Sequence, residues 1–330
     1  MILITGGAGY IGSQTALKFT ENNNEIVIFD NLENGHIETI KVLTNYKNVH
    51  FMRGDIRNIE DIDKLFKTYS IDAVVHFAAF ALVEESMKNP GKYYINNVLG
   101  SVNLLETMKK YHVKKIIFSS TCATYGIPIK TPIDEAHSQN PINPYGKSKL
   151  MVESILKDYD SIFGIKHIIL RYFNVAGADS KLRVGEWHNP ETHLIPNILK
   201  SATNSDTIFN IFGNNYNTKD GTCIRDYVNV EDLAEAHWLA YKYLLKENTS
   251  NVFNIGTEKG ASIFDILECC SKITGRKIPY KILAARAGDP PELFANSQKA
   301  QKTLKWTTKK TLEDSISTAF QWELKRSIYK

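Results

Sequence analysis

The sequence has 330 residues, of which 43% are hydrophobic and 23% charged, and its formal net charge is +4. This length predicts about two domains with a sizeable core, and the mild charge argues against nucleic acid and anionic membranes as partners. No stretch approaches the ~18 apolar residues of a membrane span, and the start, MILITGGAGYIG, lacks the features of a signal peptide. We therefore expect a cytoplasmic protein.

The first 30 residues predict a nucleotide-binding turn. MILIT is typical of a buried strand and SQTALKFTENN of a helix. Gly6, Gly9 and Gly12 lie in the stretch between them. Such glycines allow a sharp turn and a close approach of the backbone to a pyrophosphate, which the free N–H groups of the helix start bind. The next strand, EIVIFD, ends at Asp30, where a carboxylate binds the adenosine ribose and repels a 2′-phosphate. We therefore expect NAD rather than NADP.

Apolar strands and helices continue to alternate up to about residue 175. The predicted strands are NVHFMRGDI, IDAVVHFAA, VKKIIFSS and IKHIILRYFN, and the predicted helices are IEDIDKLFKTYS, NNVLGSVNLLETMKKYHV and KSKLMVESILKDYDSIFG. This alternation predicts an α/β fold with a doubly wound, Rossmann-type parallel sheet over residues 1–175. Ligands bind beyond the carboxyl ends of such strands. Residues 176–330 predict a smaller mixed α/β domain for the substrate, and a segment near 224–246 is expected to rejoin the first sheet.

Tyr145 and Lys149, in NPYGKSKLMVE, predict a proton-transferring pair. Residues four apart share one face of a helix. A free tyrosine titrates near ~10, and a lysine ammonium about 4–6 Å away favours the phenolate. Such a phenol takes a proton from a substrate hydroxyl while hydride leaves the same carbon. We also expect Lys149 to hydrogen-bond the nicotinamide ribose.

The cysteine pattern indicates neither a redox pair nor a zinc site. The four of them are Cys122, Cys223, Cys269 and Cys270, which form no C-x-x-C pair and no Cys/His cluster with zinc spacing. We expect reduced, mostly buried thiols and no metal site.

Together these features resemble the extended short-chain dehydrogenase/reductase family. In that family a Ser or Thr at the end of the preceding long strand completes the site, and FSSTCATYG places Thr121 there. The resemblance implies that its hydroxyl relays the proton between substrate and Tyr145. Members that dehydrate nucleotide sugars carry an Asp–Glu pair directly after this position. Here Cys122 and Ala123 follow, so the acid and base for elimination are missing.

Within that family the sequence resembles the UDP-galactose 4-epimerases over roughly residues 1 to 306. The motifs that carry this resemblance are TGGAGYIGS, FDNLENG, GDIRN, VVHFAA, ESMKNPGKYYINNV, FSSTCATYG, PYGKSKLMVE, LRYFNVAGA, HLIP, IFGNNYNTKDGTCIRDYV and RAGDPPELFAN. The resemblance implies reversible 4-epimerisation of UDP-galactose and UDP-glucose through a 4-keto sugar, with NAD tightly bound throughout. It also implies a homodimer joined through two helices of the first domain.

The same resemblance assigns binding residues. Those expected at NAD are Gly6, Gly9, Tyr10, Ile11, Gly12, Asp30, Asn31, Asn34, Asp55, Ile56, Phe77, Ala78, Ala79, Asn96, Tyr145, Lys149 and Tyr172. Those expected at the UDP-hexose are Thr121, Tyr145, Phe173, Asn174, His193, Leu194, Ile211, Phe212, Arg225, Tyr227, Arg286, Asp289 and Leu293. The catalytic residues among them are Tyr145, Lys149 and Thr121.

Leu293 bears on the choice of substrate. It falls at the family's gatekeeper position, where small residues admit a 2-N-acetyl group and Tyr excludes it. Because Leu is intermediate, UDP-N-acetylhexosamines are expected to be poor substrates. The alternatives left open are an epimerase that also acts on these sugars, another NAD-dependent nucleotide-sugar oxidoreductase, and a nucleotide-binding protein without catalysis. The last of these would typically lack the Tyr or the Lys.

Overall fold

The structure is a computed structural model and describes residues 1–204, 207–286 and 289–326. The strands are β1 (Ile2–Thr5), β2 (Ile26–Asp30), β3 (Val49–Arg53), β4 (Ala73–His76), β5 (Lys115–Ser119), β6 (Lys166–Tyr172), β7 (Asn174–Ala176), β8 (Phe209–Phe212), β9 (Ile224–Asn229), β10 (Asn251–Ile255), β11 (Gly260–Ser262), β12 (Tyr280–Leu283) and β13 (Glu292–Leu293).

The helices alternate with these strands in the first half of the chain. They are α1 (Tyr10–Glu21), α2 (Ile37–Leu43), α3 (Ile59–Thr68), α4 (Val83–Lys88), α5 (Pro90–Tyr93), α6 (Gly100–Lys110), α7 (Pro144–Phe163), α8 (Leu194–Thr203), α9 (Val230–Glu247), α10 (Ile263–Thr274), α11 (Gln298–Leu304) and α12 (Leu312–Arg326). A π-helical turn, Tyr94–Leu99, leads into α6, and a 3₁₀ turn, Cys122–Thr124, follows β5.

Seven of the described strands form one parallel sheet in the order β10-β6-β5-β4-β1-β2-β3. Every residue of β1, β2 and β4 is buried, as a sheet covered on both faces requires. One core packs α1, α2, α9 and α11 against one face, and a second core packs α3, α6 and α7 against the other. The expected doubly wound parallel sheet is confirmed.

The register gathers the strand ends along one edge of this sheet. Thr5 of β1 pairs with Phe29 of β2 and with His76 of β4. The turns that follow these three strands therefore start side by side, which places Gly6, Asp30 and the residues after His76 at a common edge.

The second half of the chain builds a smaller body beyond that edge. β7, β9, β11 and β13 form a four-stranded sheet, β8 pairs with β12, and a third core lies between α8, α10 and α12. Within the segment near 224–246, α9 packs against the large sheet, whereas β9 pairs in the small one. The strand that rejoins the large sheet is β10, parallel to β6. The division of the chain near residue 175 stays a prediction.

A search of the helices in the described ranges finds none with the length and apolar character needed to cross a membrane.

Candidate active site

A cavity of about 950 Å³ opens at the carboxyl ends of the parallel strands, where the second half of the chain faces the large sheet. Its volume lies near the upper end of the range for small-molecule sites. All but three of the residues expected at NAD or the UDP-hexose line it. The three that do not are Asp55, Ile211 and Phe212.

The glycine turn forms one end of the cavity. Gly6 has φ +70°, and a Cβ on Gly12 would lie 2.3 Å from the Gly6 carbonyl oxygen, so side chains at these positions would break the turn. Gly9 caps α1 without any side-chain hydrogen bond, so the first N–H groups of the helix keep their hydrogen-bonding capacity for an anion. This arrangement fits a dinucleotide pyrophosphate.

Asp30 stands beside this turn. Its carboxylate accepts hydrogen bonds from the backbone N–H of Ala8 (3.0 Å) and of Leu32 (2.8 Å). Burial raises the pKa of Asp30, although these hydrogen bonds act in the opposite sense. The backbone thus fixes the carboxylate at the cavity wall, where its remaining lone pairs can accept from ribose hydroxyls.

Asp55 also follows a strand, yet it does not line the cavity. Arg57 donates to both of its carboxylate oxygens, and Asn31 donates to Oδ2 at 2.9 Å. Burial alone would raise the pKa of Asp55, but these bonds lower it to about 2. Asp55 therefore positions Asn31, which does line the cavity.

Helix α7 begins in a way that fixes Tyr145. The Asn143 side chain accepts from the Gly146 N–H at 2.8 Å, and Pro144 occupies the first helical turn. A Cβ on Gly146 would lie 2.5 Å from the Ala123 carbonyl oxygen. The helix start therefore packs directly on the turn that follows Thr121, which brings the phenol and the threonine hydroxyl together.

Tyr145 and Lys149 are both buried on the face of α7 that lines the cavity. Burial raises the pKa of Tyr145, and the neighbouring Tyr172 adds to this, while a hydrogen bond with Thr121 lowers it. Burial also lowers the pKa of Lys149 to about 7, against the attraction of Glu153. The expected lowering of the tyrosine pKa by Lys149 is thus not found in the protein alone, where removal from water has the largest effect on this pKa.

Lys149 is held in place by the strand that precedes the 3₁₀ turn. Its Nζ donates to the Ser119 carbonyl oxygen at 2.8 Å, and the Ser119 hydroxyl lies 2.6 Å from the Tyr172 hydroxyl. This contact ties the lysine on α7 to the end of β5, so the tyrosine, the lysine and Thr121 keep one spatial relation.

A buried ion pair continues the same helix face. Glu153 follows Lys149 by one further turn, and its carboxylate accepts from Arg171 Nε at 3.0 Å and from Nη2 at 2.6 Å. Both side chains are at most 3% exposed. Ser120 and Gln139 also donate to Glu153, which satisfies its remaining lone pairs. The pair therefore fixes α7 against β6.

Two arginine side chains lie at the far end of the cavity. Arg225 is buried on β9 and donates from Nη2 to Asp289 at 2.6 Å. Arg286 is exposed, and its guanidinium lies 4.0 Å from the centre of the Phe212 ring. Phe212 thus contacts an arginine that lines the cavity, while Ile211 lies fully buried in the third core.

One wall of the cavity consists of residues that were not predicted from the sequence. Glu186, His188, Asn189 and Pro190 line it, all from the irregular segment between β7 and α8. The run EWHNPETH could have signalled a local His/Glu cluster, but it has no periodicity that would place it. Burial acts against the charged imidazoles, yet the carboxylates of Glu186 and Glu191 raise the pKa of His193 to about 10.

Comparison with known proteins agrees with this geometry. The sequence model described as the NAD dependent epimerase/dehydratase family matches residues 2–256. A curated relative, the UDP-glucose 4-epimerase of Lactobacillus helveticus, is 49% identical over 97% of this chain and 96% of its own length.

Two solved structures bear on ligands. The UDP-glucose 4-epimerase of Bifidobacterium longum, in complex with NAD⁺ and UDP, superposes with a TM-score of 0.94 at 34% identity, over 99% of this chain and 98% of its own. The UDP-Glc/GlcNAc 4-epimerase of Campylobacter jejuni superposes with a TM-score of 0.86 at 42% identity, over 98% and 99%.

Replacing Glu153 by Gln should destabilise the protein strongly. The change leaves the Arg171 guanidinium buried without its counter-ion, which costs about 3–5 kcal/mol. Urea unfolding measures the loss in the free energy of unfolding. Glu84→Gln is the matched control, because its partner Lys88 and Glu84 itself are about three-quarters exposed and such pairs contribute roughly 0–1 kcal/mol. Equal, small losses in both variants would contradict a structural role for the buried pair.

Proposed function

The chain belongs to the NAD dependent epimerase/dehydratase family, and we propose that it interconverts UDP-galactose and UDP-glucose through a 4-keto sugar with tightly bound NAD. Relatives named for this activity match it over nearly their full length. The observation that carries the proposal is the buried group formed by Tyr145, Lys149 and Thr121 in a cavity that also contains the glycine turn.

The first half of the reaction is oxidation at C4. The Tyr145 oxygen takes the proton of the C4 hydroxyl, directly or through Thr121, while the C4 hydrogen leaves with its electron pair and a carbonyl forms. Bound NAD would supply the hydride acceptor and donor for these steps and would add a positive charge to the cavity. Lys149 would hold the cofactor by a hydrogen bond to its ribose, and its ammonium form would favour the phenolate.

The second half is the reverse reaction on the other face of the sugar. The 4-keto hexose turns about its link to the diphosphate, and Tyr145 returns the proton to the C4 oxygen. Affinity must therefore come mainly from the UDP portion, because the hexose has to move within the site. No net oxidation results, so the cofactor has no need to leave.

Arg225 and Arg286 are the residues we assign to the diphosphate. Guanidinium groups pair bidentately with phosphate oxygens. Asp289 holds the Arg225 guanidinium at the cavity wall and accepts from the uridine ribose through its other oxygen. Asn174, His193 and Leu194 complete the nucleotide contacts.

The acid and base that elimination would need are absent from the two positions after Thr121. The two positions after Thr121 are Cys122 and Ala123, and burial raises the pKa of the Cys122 thiol to about 12. A thiol that stays protonated is neither a base nor a nucleophile at neutral pH. This favours oxidation followed by reduction over dehydration.

A homodimer in the cytoplasm completes the proposal. Ile95 and Leu99 before α6 and Met151 on the adjoining α7 are large exposed apolar side chains. Leu99 and Met151 lie in NNVLGSVNLLETMKKYH and KSKLMVESILKDYD, the two helical segments that are candidates for the subunit contact, and Ile95 directly precedes the first. Exposed apolar side chains on adjoining helices favour association. The four cysteines are free thiols, which fits a reducing compartment.

Tyr145→Phe should keep NAD and lose turnover by roughly 10²–10⁴-fold, since it removes only the hydroxyl that transfers the proton. Conversion of UDP-galactose, coupled to a UDP-glucose dehydrogenase, measures turnover, and cofactor content is measured after denaturation. Tyr159→Phe on the same helix is the control, because its hydroxyl contacts Glu106 outside the cavity. Near-wild-type turnover in Tyr145→Phe would reject the proton role.

Leu293→Gly should raise activity on UDP-N-acetylgalactosamine relative to UDP-galactose. Leu293 lines the cavity beside Cys122 and Phe173, and removal of its isobutyl group makes room for the acetamido substituent. We expect the ratio of the two kcat/KM values to rise about tenfold or more. Leu293→Met, which keeps the volume, should leave the ratio unchanged. Equal kcat/KM values of the wild-type protein for UDP-N-acetylgalactosamine and UDP-galactose would overturn the assignment of Leu293 as gatekeeper.

A further inference from the structure

Four potential metal ligands meet in the irregular segment between β7 and α8, which forms part of the cavity wall. Glu186, His188, Glu191 and His193 each offer one nitrogen or oxygen, and these four atoms lie within 4.8 Å of one another. We propose that this quartet binds one divalent transition-metal ion, with zinc the best match, which fixes the segment between β7 and α8.

The distances fit a tetrahedral ion. Nδ1 of His193 lies 2.9 Å from Glu186 Oε1 and 3.0 Å from Glu191 Oε1. Nδ1 of His188 lies 3.3 Å from Glu186 Oε1 and 3.5 Å from Glu191 Oε2. Ligands at zinc bond lengths on the corners of a tetrahedron stand roughly 3.3–3.6 Å apart. A small closure or opening of the quartet therefore places all four around one ion.

The Glu191 carboxylate is already oriented for this role. Its Oε1 accepts from the backbone N–H of Thr192 (2.8 Å) and of His193 (2.9 Å). These bonds hold the carboxylate and leave Oε2, the oxygen nearer His188, for an ion. Outer hydrogen bonds of this kind orient the ligands of protein metal sites. The Glu186 and Glu191 side chains are 7% and 3% exposed, whereas His188 and His193 are 27% and 46% exposed, so the quartet opens to solvent on its histidine side.

His188 gives a second, independent indication. Its Nδ1 is buried and makes no hydrogen bond within the described residues, although two carboxylate oxygens lie within 3.5 Å. An imidazolium N–H in an ion network would point at one of those oxygens. A nitrogen that faces the space between two carboxylates without a well-aligned hydrogen bond fits a metal ligand whose lone pair points at the ion.

Charge and ligand type identify the metal class. Metal ligation takes the imidazoles in their neutral form and releases their protons, and the two carboxylates then balance the charge of one divalent ion. Imidazole nitrogen with carboxylate oxygen in four-coordinate geometry suits zinc, whereas calcium and magnesium prefer oxygen ligands in larger numbers.

The site would act by positioning rather than by chemistry. Trp187, between two of the ligands, stacks on His36 with ring centres 3.9 Å apart, and the Glu186 carbonyl accepts from Trp322 at 2.9 Å. The ion would lock this segment and bind His193 through Nδ1, which leaves Nε2 as an obligatory donor. The next step rests on the proposed function: this N–H can donate a hydrogen bond to the anionic diphosphate of the substrate.

Metal analysis tests the site without any assay of activity. Untagged protein is loaded with zinc chloride, dialysed and analysed by plasma mass spectrometry, and a parallel sample is loaded with cobalt chloride. We expect about one zinc per chain and the intense visible bands of four-coordinate cobalt. His188→Gln and the near-isosteric Glu191→Gln should weaken zinc binding at least about tenfold in competition with a chromogenic chelator. His50→Gln, which alters a surface His–Glu pair, should not.

The outcomes separate this inference from the proposed function. Wild-type protein that retains no zinc, or that gives only weak octahedral cobalt bands, overturns the site whatever the variants do. Zinc retained equally by Glu191→Gln and His50→Gln also overturns it. An active epimerase that binds no zinc overturns only the metal site, whereas a zinc-binding chain that fails to convert UDP-galactose overturns only the proposed function.

Discussion

The close packing of Gly146 on the Ala123 carbonyl is the constraint on which the site depends. Because Gly146 has no Cβ, the first turn of α7 sits directly against the turn after β5. That contact sets the spacing between the tyrosine on the helix and Thr121 at the strand end. Lys149 and Glu153 then follow on the same helix face, one tied to the Ser119 carbonyl and the other to Arg171. Three successive turns of one helix thus carry the acid–base group, its neighbouring cation and the ion pair that fixes both.

Burial changes the protonation equilibria of Tyr145 and Lys149. Removal from water raises the pKa of Tyr145 and lowers that of Lys149 to about 7, because burial disfavours the charged form of each group. The positive charge of a bound cofactor would favour the phenolate, so the phenol would lose its proton more readily when the cavity is filled.

Much of this site could be predicted from the sequence, because the carboxyl ends of parallel strands must share one edge. Asp30 and Phe77 fall at strand ends and line the cavity as expected. The same rule failed for Asp55, since a strand-end position does not decide that Arg57 will take the carboxylate. Periodicity likewise identified the strand β9 but not its sheet: β9 pairs with β7 in the small sheet, and β10 is the strand that rejoins the large one. The wall from Glu186 to His193 has no periodic pattern, so only the folded chain brings it to the cavity.

The central claim is that the C4 hydrogen leaves and returns within one closed site. The most direct measurement is conversion of UDP-galactose carrying deuterium at C4 by the purified protein in ordinary water, without added cofactor, followed by mass spectrometry of the UDP-glucose formed. We expect the product to keep its deuterium. Replacement of that deuterium by solvent hydrogen, or a requirement for one added NAD⁺ per sugar converted, would contradict it.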